Sequence, residues 1–170
     1  EEMETVYIGG GTPSSLSYDE LNKLFKILSV VKVSNNYEYS FECNPDDITE
    51  ELIDILIKNR VNRISIGIES FDKDNLGFME RSVDFKDIQN KINMIRIKGI
   101  DNINLDLIYG IPGENIKTLE NEINKWKDFS LTPLIVPRTI RRGVQGRNSY
   151  NRWKQRGVYL IFNDSEEAVQ

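Results

Sequence analysis

Arg63-Ile64-Ser65-Ile66-Gly67-Ile68-Glu69 is the stretch on which the fold turns. Ile64, Ile66 and Ile68 alternate with Ser65, Gly67 and Glu69, the two-residue period of a β-strand with one bulky face and one small, polar face. The same parity recurs upstream, where Tyr37, Tyr39 and Phe41 oppose Glu38, Ser40 and Glu42, and downstream, where Ile103, Leu105 and Leu107 oppose Asn102, Asn104 and Asp106. A parallel strand buried between two helical layers is apolar on both faces, whereas the wall of a barrel with a polar lumen needs bulk outward and small polar groups inward. The alternation therefore predicts a barrel rather than an open doubly wound sheet.

Between these strands the apolar residues change to helical spacing. Ser17 with Glu20 makes a capping box before Leu21, Leu24, Phe25, Leu28 and Val31, which fall on one stripe. Thr49 caps a second helix carrying Leu52, Ile55 and Leu56, and Asp84 opens a third with Ile88, Ile92 and Ile95 inward, ended by Gly99 where a left-handed residue is needed. Ile116, Leu119, Ile123 and Trp126 form the stripe of another. An earlier strand, Thr5-Val6-Tyr7-Ile8, runs into the turn Gly9-Gly10-Gly11-Thr12-Pro13-Ser14. Strand ends at Gly9, Glu42, Glu69 and Asp106 are separated by 33, 27 and 37 residues, the size of a βα unit. Four units in series predict parallel strands near 5–9, 37–42, 63–68 and 102–107.

With 170 residues, 39% of them hydrophobic and 29% charged, the chain suits one ordinary domain. No apolar run approaches the roughly 20 residues that span a bilayer. The opening Glu1-Glu2-Met3-Glu4 is acidic where a leader would be basic, so a cytoplasmic protein without an integral membrane segment is expected. There is no histidine, which excludes Ser-His-Asp and Cys-His catalysis by these residues. A lone cysteine, Cys43, can neither close an internal disulfide nor hold an iron-sulfur cluster, and is expected as a buried thiol. Residues 1–129 hold 24 acidic and 15 basic side chains for a net −9, against 3 and 7 for a net +4 in 130–170. The acidic body argues against a nucleic-acid partner.

Glu42, Glu69 and Asp106 each end a polar strand face at its C-terminal end, where parallel α/β sheets bind ligands. Carboxylates gathered there repel unless a cation or hydrogen-bond donors neutralise them. A cationic ligand, a divalent metal ion held by the carboxylate triad, and simple pairing with Arg63 and Arg81 are the three readings open at this point. The glycine turn favours a ligand, because bare amides at a strand end let one approach the backbone.

The ordered motifs Val-Tyr-Ile-Gly-Gly-Gly-Thr-Pro-Ser (6–14), Phe-Glu-Cys-Asn-Pro-Asp (41–46), Val-Asn-Arg-Ile-Ser-Ile-Gly-Ile-Glu-Ser-Phe-Asp (61–72) and Asn-Leu-Asp-Leu-Ile-Tyr-Gly-Ile-Pro-Gly (104–113) closely resemble the radical S-adenosylmethionine family of oxygen-independent coproporphyrinogen III oxidases and their heme-chaperone relatives. Asn-Pro after Glu42-Cys43 and Ser-Phe after Glu69 look more like the heme-chaperone branch. The resemblance covers residues 1 to about 129 and implies a partial (β/α) barrel of the radical S-adenosylmethionine type, incomplete at both ends. It implies S-adenosylmethionine over the strand ends, with Gly10, Gly11 and Thr12 at its methionine part and Glu42, Glu69, Arg81 and Asp106 lining the rest. A small-molecule partner, porphyrin or heme, and a 4Fe-4S cluster in the parent protein are implied as well.

Several departures from the family bear on activity. Its Cys-x-x-x-Cys-x-x-Cys loop precedes the glycine motif and has no counterpart among these residues. A fragment that is catalytically inert is therefore expected, since cleavage of S-adenosylmethionine is the cluster's chemistry. Glu69 stands where the family usually has glutamine. Arg60 occupies a helix end that calls for glycine, at a cost of about 1 kcal/mol if left-handed. A barrel region over 1–133 and an irregular tail over 134–170 divide the chain. Leu134 to Tyr150 does not align with the family, which a local frame disturbance or a divergent strand and loop would each explain, and which also creates the basic cluster from Arg138 to Arg156.

Overall fold

The computed structural model describes residues 2–111, 113–127, 129 and 133–137. Five strands, β1 (Met3–Ile8), β2 (Val33–Cys43), β3 (Arg63–Glu69), β4 (Asn102–Tyr109) and β5 (Pro133–Pro137), lie in one sheet in the order β1-β2-β3-β4-β5. Every neighbouring pair is parallel. Sequential order with helical crossovers is the connectivity of a barrel wall, each strand being laid beside its predecessor. β1 and β2 begin earlier than the sequence suggests, at Met3 and Val33. β5 continues the sheet past the expected barrel boundary at 133, into the stretch from Leu134 that does not align with the family. The rest of the tail, from 138 on, lies outside the described residues.

The crossovers are α1 (Tyr18–Leu28), α2 (Glu50–Lys58), a short α3 (Lys73–Phe78), α4 (Phe85–Ile97) and α5 (Ile116–Lys127). Two single 3-10 turns, Pro13–Ser15 and Pro45–Asp47, lead into the first two. The caps are those read from sequence: Ser17 and Glu20 close a reciprocal box, Thr49 accepts from the Leu52 amide and Asp84 from that of Asp87. Gly99 is left-handed at φ 102°, and Arg60 adopts φ 70° with its guanidinium over the Tyr37 ring.

The core lies between the helices and the bulky sheet face. Tyr39, Phe41, Ile64, Ile66, Ile68, Ile103, Leu105 and Leu107 are buried against Leu21, Phe25, Leu52, Leu56, Ile88, Ile92 and Ile95. The expected stripe of α5 is only partly realised. Ile116 is 78% exposed, because it opens the helix and faces away from the sheet, and the side chain of Trp126 lies outside the described residues. Among the described side chains of α5, the one buried most deeply is instead the carboxylate Glu122.

Candidate functional site

Register places the polar residues side by side at the C-terminal ends of the strands. Ile8 pairs with Phe41, Glu42 with Ser65, and Gly67 with Asp106. A cleft of about 200 Å³ opens there, lined among others by Gly11, Thr12, Glu42, Glu69, Arg81 and Asp106. Gly10 joins them by donating its amide to Glu42 Oε2 at 3.1 Å. All seven residues singled out in the sequence thus meet at one end of the sheet.

The glycine turn is shaped for this contact. A Cβ on Gly9 would lie 2.6 Å from the Glu42 carboxylate and 2.7 Å from the Tyr7 ring. Gly10 and Gly11 have φ 88° and 94°, with nothing within 4 Å of where a Cβ would stand, so their backbone faces open space. Tyr7 Oη donates to Glu42 Oε1 at 2.6 Å. Burial and then this bond push the Tyr7 phenol well up, which keeps it a donor.

Asp106 accepts from Ser65 Oγ at 2.9 and 3.0 Å and from Asn104 Nδ2 at 2.6 Å. Burial raises its pKa above the usual carboxylate range against the pull of the Ser65 bond, and the charge of Glu42 raises it further. Glu69 is likewise raised by burial, with Arg81 opposing. Its Oε1 is 2.9 Å from Arg81 Nη2, and Arg81 Nη1 also reaches Asn44 Oδ1 and Gly67 O. Arg63 does not serve the cleft in this way but pairs with Glu38 at 3.2 Å. The parity at Glu69 is broken, since the register shifts between Gly67 and Glu69 and Glu69 is left-handed at φ 69°. A bulge at a strand end re-aims a side chain, and here Glu69 still faces the cleft.

The carboxylate-triad metal site is not formed. Among the described residues no three His, Cys, Asp or Glu side chains gather closely enough to hold a metal ion. Glu42 is turned to Tyr7 and Gly10, Asp106 to Ser65 and Asn104, and Glu69 to Arg81. Nor do these residues fit an iron-sulfur cluster: Cys43 is buried, and burial pushes its thiol up to about 12. They do fit an organic cation with hydroxyls, because excess carboxylate surrounds an open backbone turn.

Residues outside the sequence prediction brace the loops around the cleft. Buried Ser14 accepts from the Asn44 amide at 2.9 Å and donates to Asp47 at 2.6 Å, joining the loops after β1 and β2. Glu114 accepts from Gly110 N and Asn75 Nδ2, joining the loop after β4 to α3. Apart from the local Gly110–Glu114 contact, these partners are 30 to 39 residues apart, beyond any local pattern; only Ser14 carried a signal, from its place in the glycine motif.

Residues 1–125 match the radical SAM superfamily. The chain is 39% identical to the heme chaperone HemW of Bacillus subtilis (strain 168), over 82% of this chain and 39% of the relative. It is 33% identical to that of Lactococcus lactis subsp. lactis (strain IL1403), over 99% and 44%, so it spans less than half the length of these relatives. In fold it is similar to the coproporphyrinogen III oxidase HemN of Escherichia coli, a radical SAM enzyme, with a TM-score of 0.74 at 21% identity over 92% of this chain and 41% of that one. The sheet order, the cleft at its strand ends and the match over residues 1–125 agree, and the chain belongs to the radical SAM superfamily.

Proposed function

We propose that the cleft at the strand ends binds S-adenosylmethionine and that the chain is the corresponding part of a heme-pathway protein of the heme-chaperone kind. One observation carries the reading: Gly11, Thr12, Glu42, Glu69, Arg81 and Asp106, distant in sequence, line a single cleft. The ligand brings a sulfonium, an ammonium and a ribose diol, for which Asp106, Glu42 and Glu69 are acceptors. It also brings one carboxylate, for which the amides of the glycine turn and the Arg81 guanidinium are donors. When bound beside a reduced cluster the ligand supplies radical chemistry; the residues here orient it and none holds the cluster. The resident protein is cytoplasmic in this reading, and its further ligand is a porphyrin or heme rather than a nucleic acid. No helix among the described residues is long and apolar enough to cross a membrane.

About three charge-assisted hydrogen bonds, each contributing roughly 1.5–3 kcal/mol before entropic losses, give an affinity in the high micromolar to millimolar range. Titration of the labelled chain with S-adenosylmethionine by NMR measures it. Asp106→Asn is expected to weaken binding several-fold, and indifference to that change would remove the cleft as the site. For the parent protein, stoichiometric heme binding without turnover of coproporphyrinogen III supports the chaperone branch, and turnover supports the oxidase.

A further inference from the structure

Glu122 lies on α5, is 1% exposed and plays no part in lining the cleft. Its Oε1 nevertheless accepts three hydrogen bonds from one turn: from Ser70 Oγ, from the Phe71 amide at 2.6 Å and from the Asp72 amide at 2.9 Å. Lys125, three residues further along α5, donates to Phe71 O at 3.2 Å. The turn begins at Glu69, whose left-handed backbone aims it at the cleft. It ends at Asp72, which caps α3 through the Asp74 and Asn75 amides. The far end of α3 returns the chain to the site, since the Arg81 amide bonds to Leu76 O and the Arg81 guanidinium closes on Glu69.

We infer that Glu122 is a positioning residue for the cleft: by gripping Ser70, Phe71 and Asp72 it fixes the turn that presents Glu69 and, through α3, sets Arg81 against it. A buried carboxylate with one oxygen satisfied by three donors and the other, Oε2, without a partner among the described residues is poorly suited to mere packing. An isolated buried acceptor costs stability unless its bonds accomplish something an apolar side chain would not. What these bonds hold is a residue with φ 69°, a backbone conformation that non-glycine residues keep only when their surroundings impose it. The strained residue and the grip are adjacent in the chain, and the strained residue is the one in the cleft.

The inference rests on the cleft being the S-adenosylmethionine site, and the test separates the two. E122Q keeps an acceptor oxygen at full reach without the charge, while E122D keeps the charge and draws the acceptor back by one methylene. If reach to the turn is what matters, E122Q retains S-adenosylmethionine affinity within about twofold and E122D weakens it about tenfold, both measured by NMR titration of the full chain. A role that depends on charge alone gives the reverse order and overturns the inference. The Arg81 guanidinium NH signals, whose exchange the 2.9 Å pair with Glu69 should slow, supply a readout that needs no ligand. They are expected to persist in E122Q and to exchange away in E122D. Absence of binding by the wild-type chain would sink the proposed function, yet the Arg81 signals would still decide for or against Glu122. Should E122D fail to fold, S70A removes one of the three bonds and is expected to shift the same two readouts by a smaller factor. An S70A chain whose affinity and Arg81 signals both match wild type would then count against the inference.

Discussion

At the scale of single residues, the glycine turn separates stability from binding. Gly9→Ala would press a methyl group onto the Glu42 carboxylate and Tyr7 ring, 2.6 and 2.7 Å away. Because the obstructing Glu42 atoms end a flexible side chain, the fold is expected to survive with a loss of about 1–2 kcal/mol. The Tyr7–Glu42 bond should break, and with it S-adenosylmethionine binding; a chemical denaturation curve beside an NMR titration checks both halves. Ser14 reads in the sequence only as the end of the glycine turn. The structure assigns it a larger part, since Ser14 is buried between the Asn44 amide and Asp47. Leaving that amide without an acceptor, as Ser14→Ala does, should cost about 1–3 kcal/mol in a urea melt.

At the scale of elements, α2 is closed by Arg60, two residues beyond Lys58, with φ 70° where glycine would sit without strain. Arg60→Gly should recover about 1 kcal/mol of backbone strain, while loss of the guanidinium from the Tyr37 ring, 5.0 Å away, removes about 0.5–1 kcal/mol. The two nearly offset, and a melt should show a change between zero and about 0.5 kcal/mol in favour of glycine. A clear destabilisation would mean that the ring contact outweighs the strain.

The elements also show what the sequence could reveal. β3 and β4 were legible because parity is a local signal, and α1, α2 and α4 because a cap and a stripe sit within a dozen residues of each other. Short α3 was not, since its Lys73–Phe78 run is too brief for periodicity and contains Gly77. The bulge at Glu69 was hidden because it depends on where β4 pairs, and Glu122 because its partners lie 50 to 52 residues away.

At the scale of the whole molecule, Asp106 and Glu69 set stability and binding against each other. Both carboxyls are raised in the folded chain by burial. Between the ordinary carboxylate pKa and the raised folded values the folded chain therefore holds more protons than the unfolded one. The contribution of these two groups to the stability of the ligand-free chain falls as pH rises through that window and levels off above it. Affinity for a cationic ligand should rise over the same window, because the acceptors lose their protons. Denaturant midpoints and ligand titrations across the acid range should slope in opposite directions. Parallel slopes would show that these two groups do not govern the site.

The sequential strand order reaches further, into how the chain is made. From β2 to β5, each strand's partner on one side is the strand before it in sequence, so none of these must wait for a distant, later segment before it can pair. Synthesis from the N-terminus can lay down the sheet one strand at a time, each new strand docking on a template that has already left the ribosome. Glu122 arrives after the strands it serves, tightening the turn after β3 only once α5 has emerged, so the cleft would acquire its final geometry after β1 to β4 are standing.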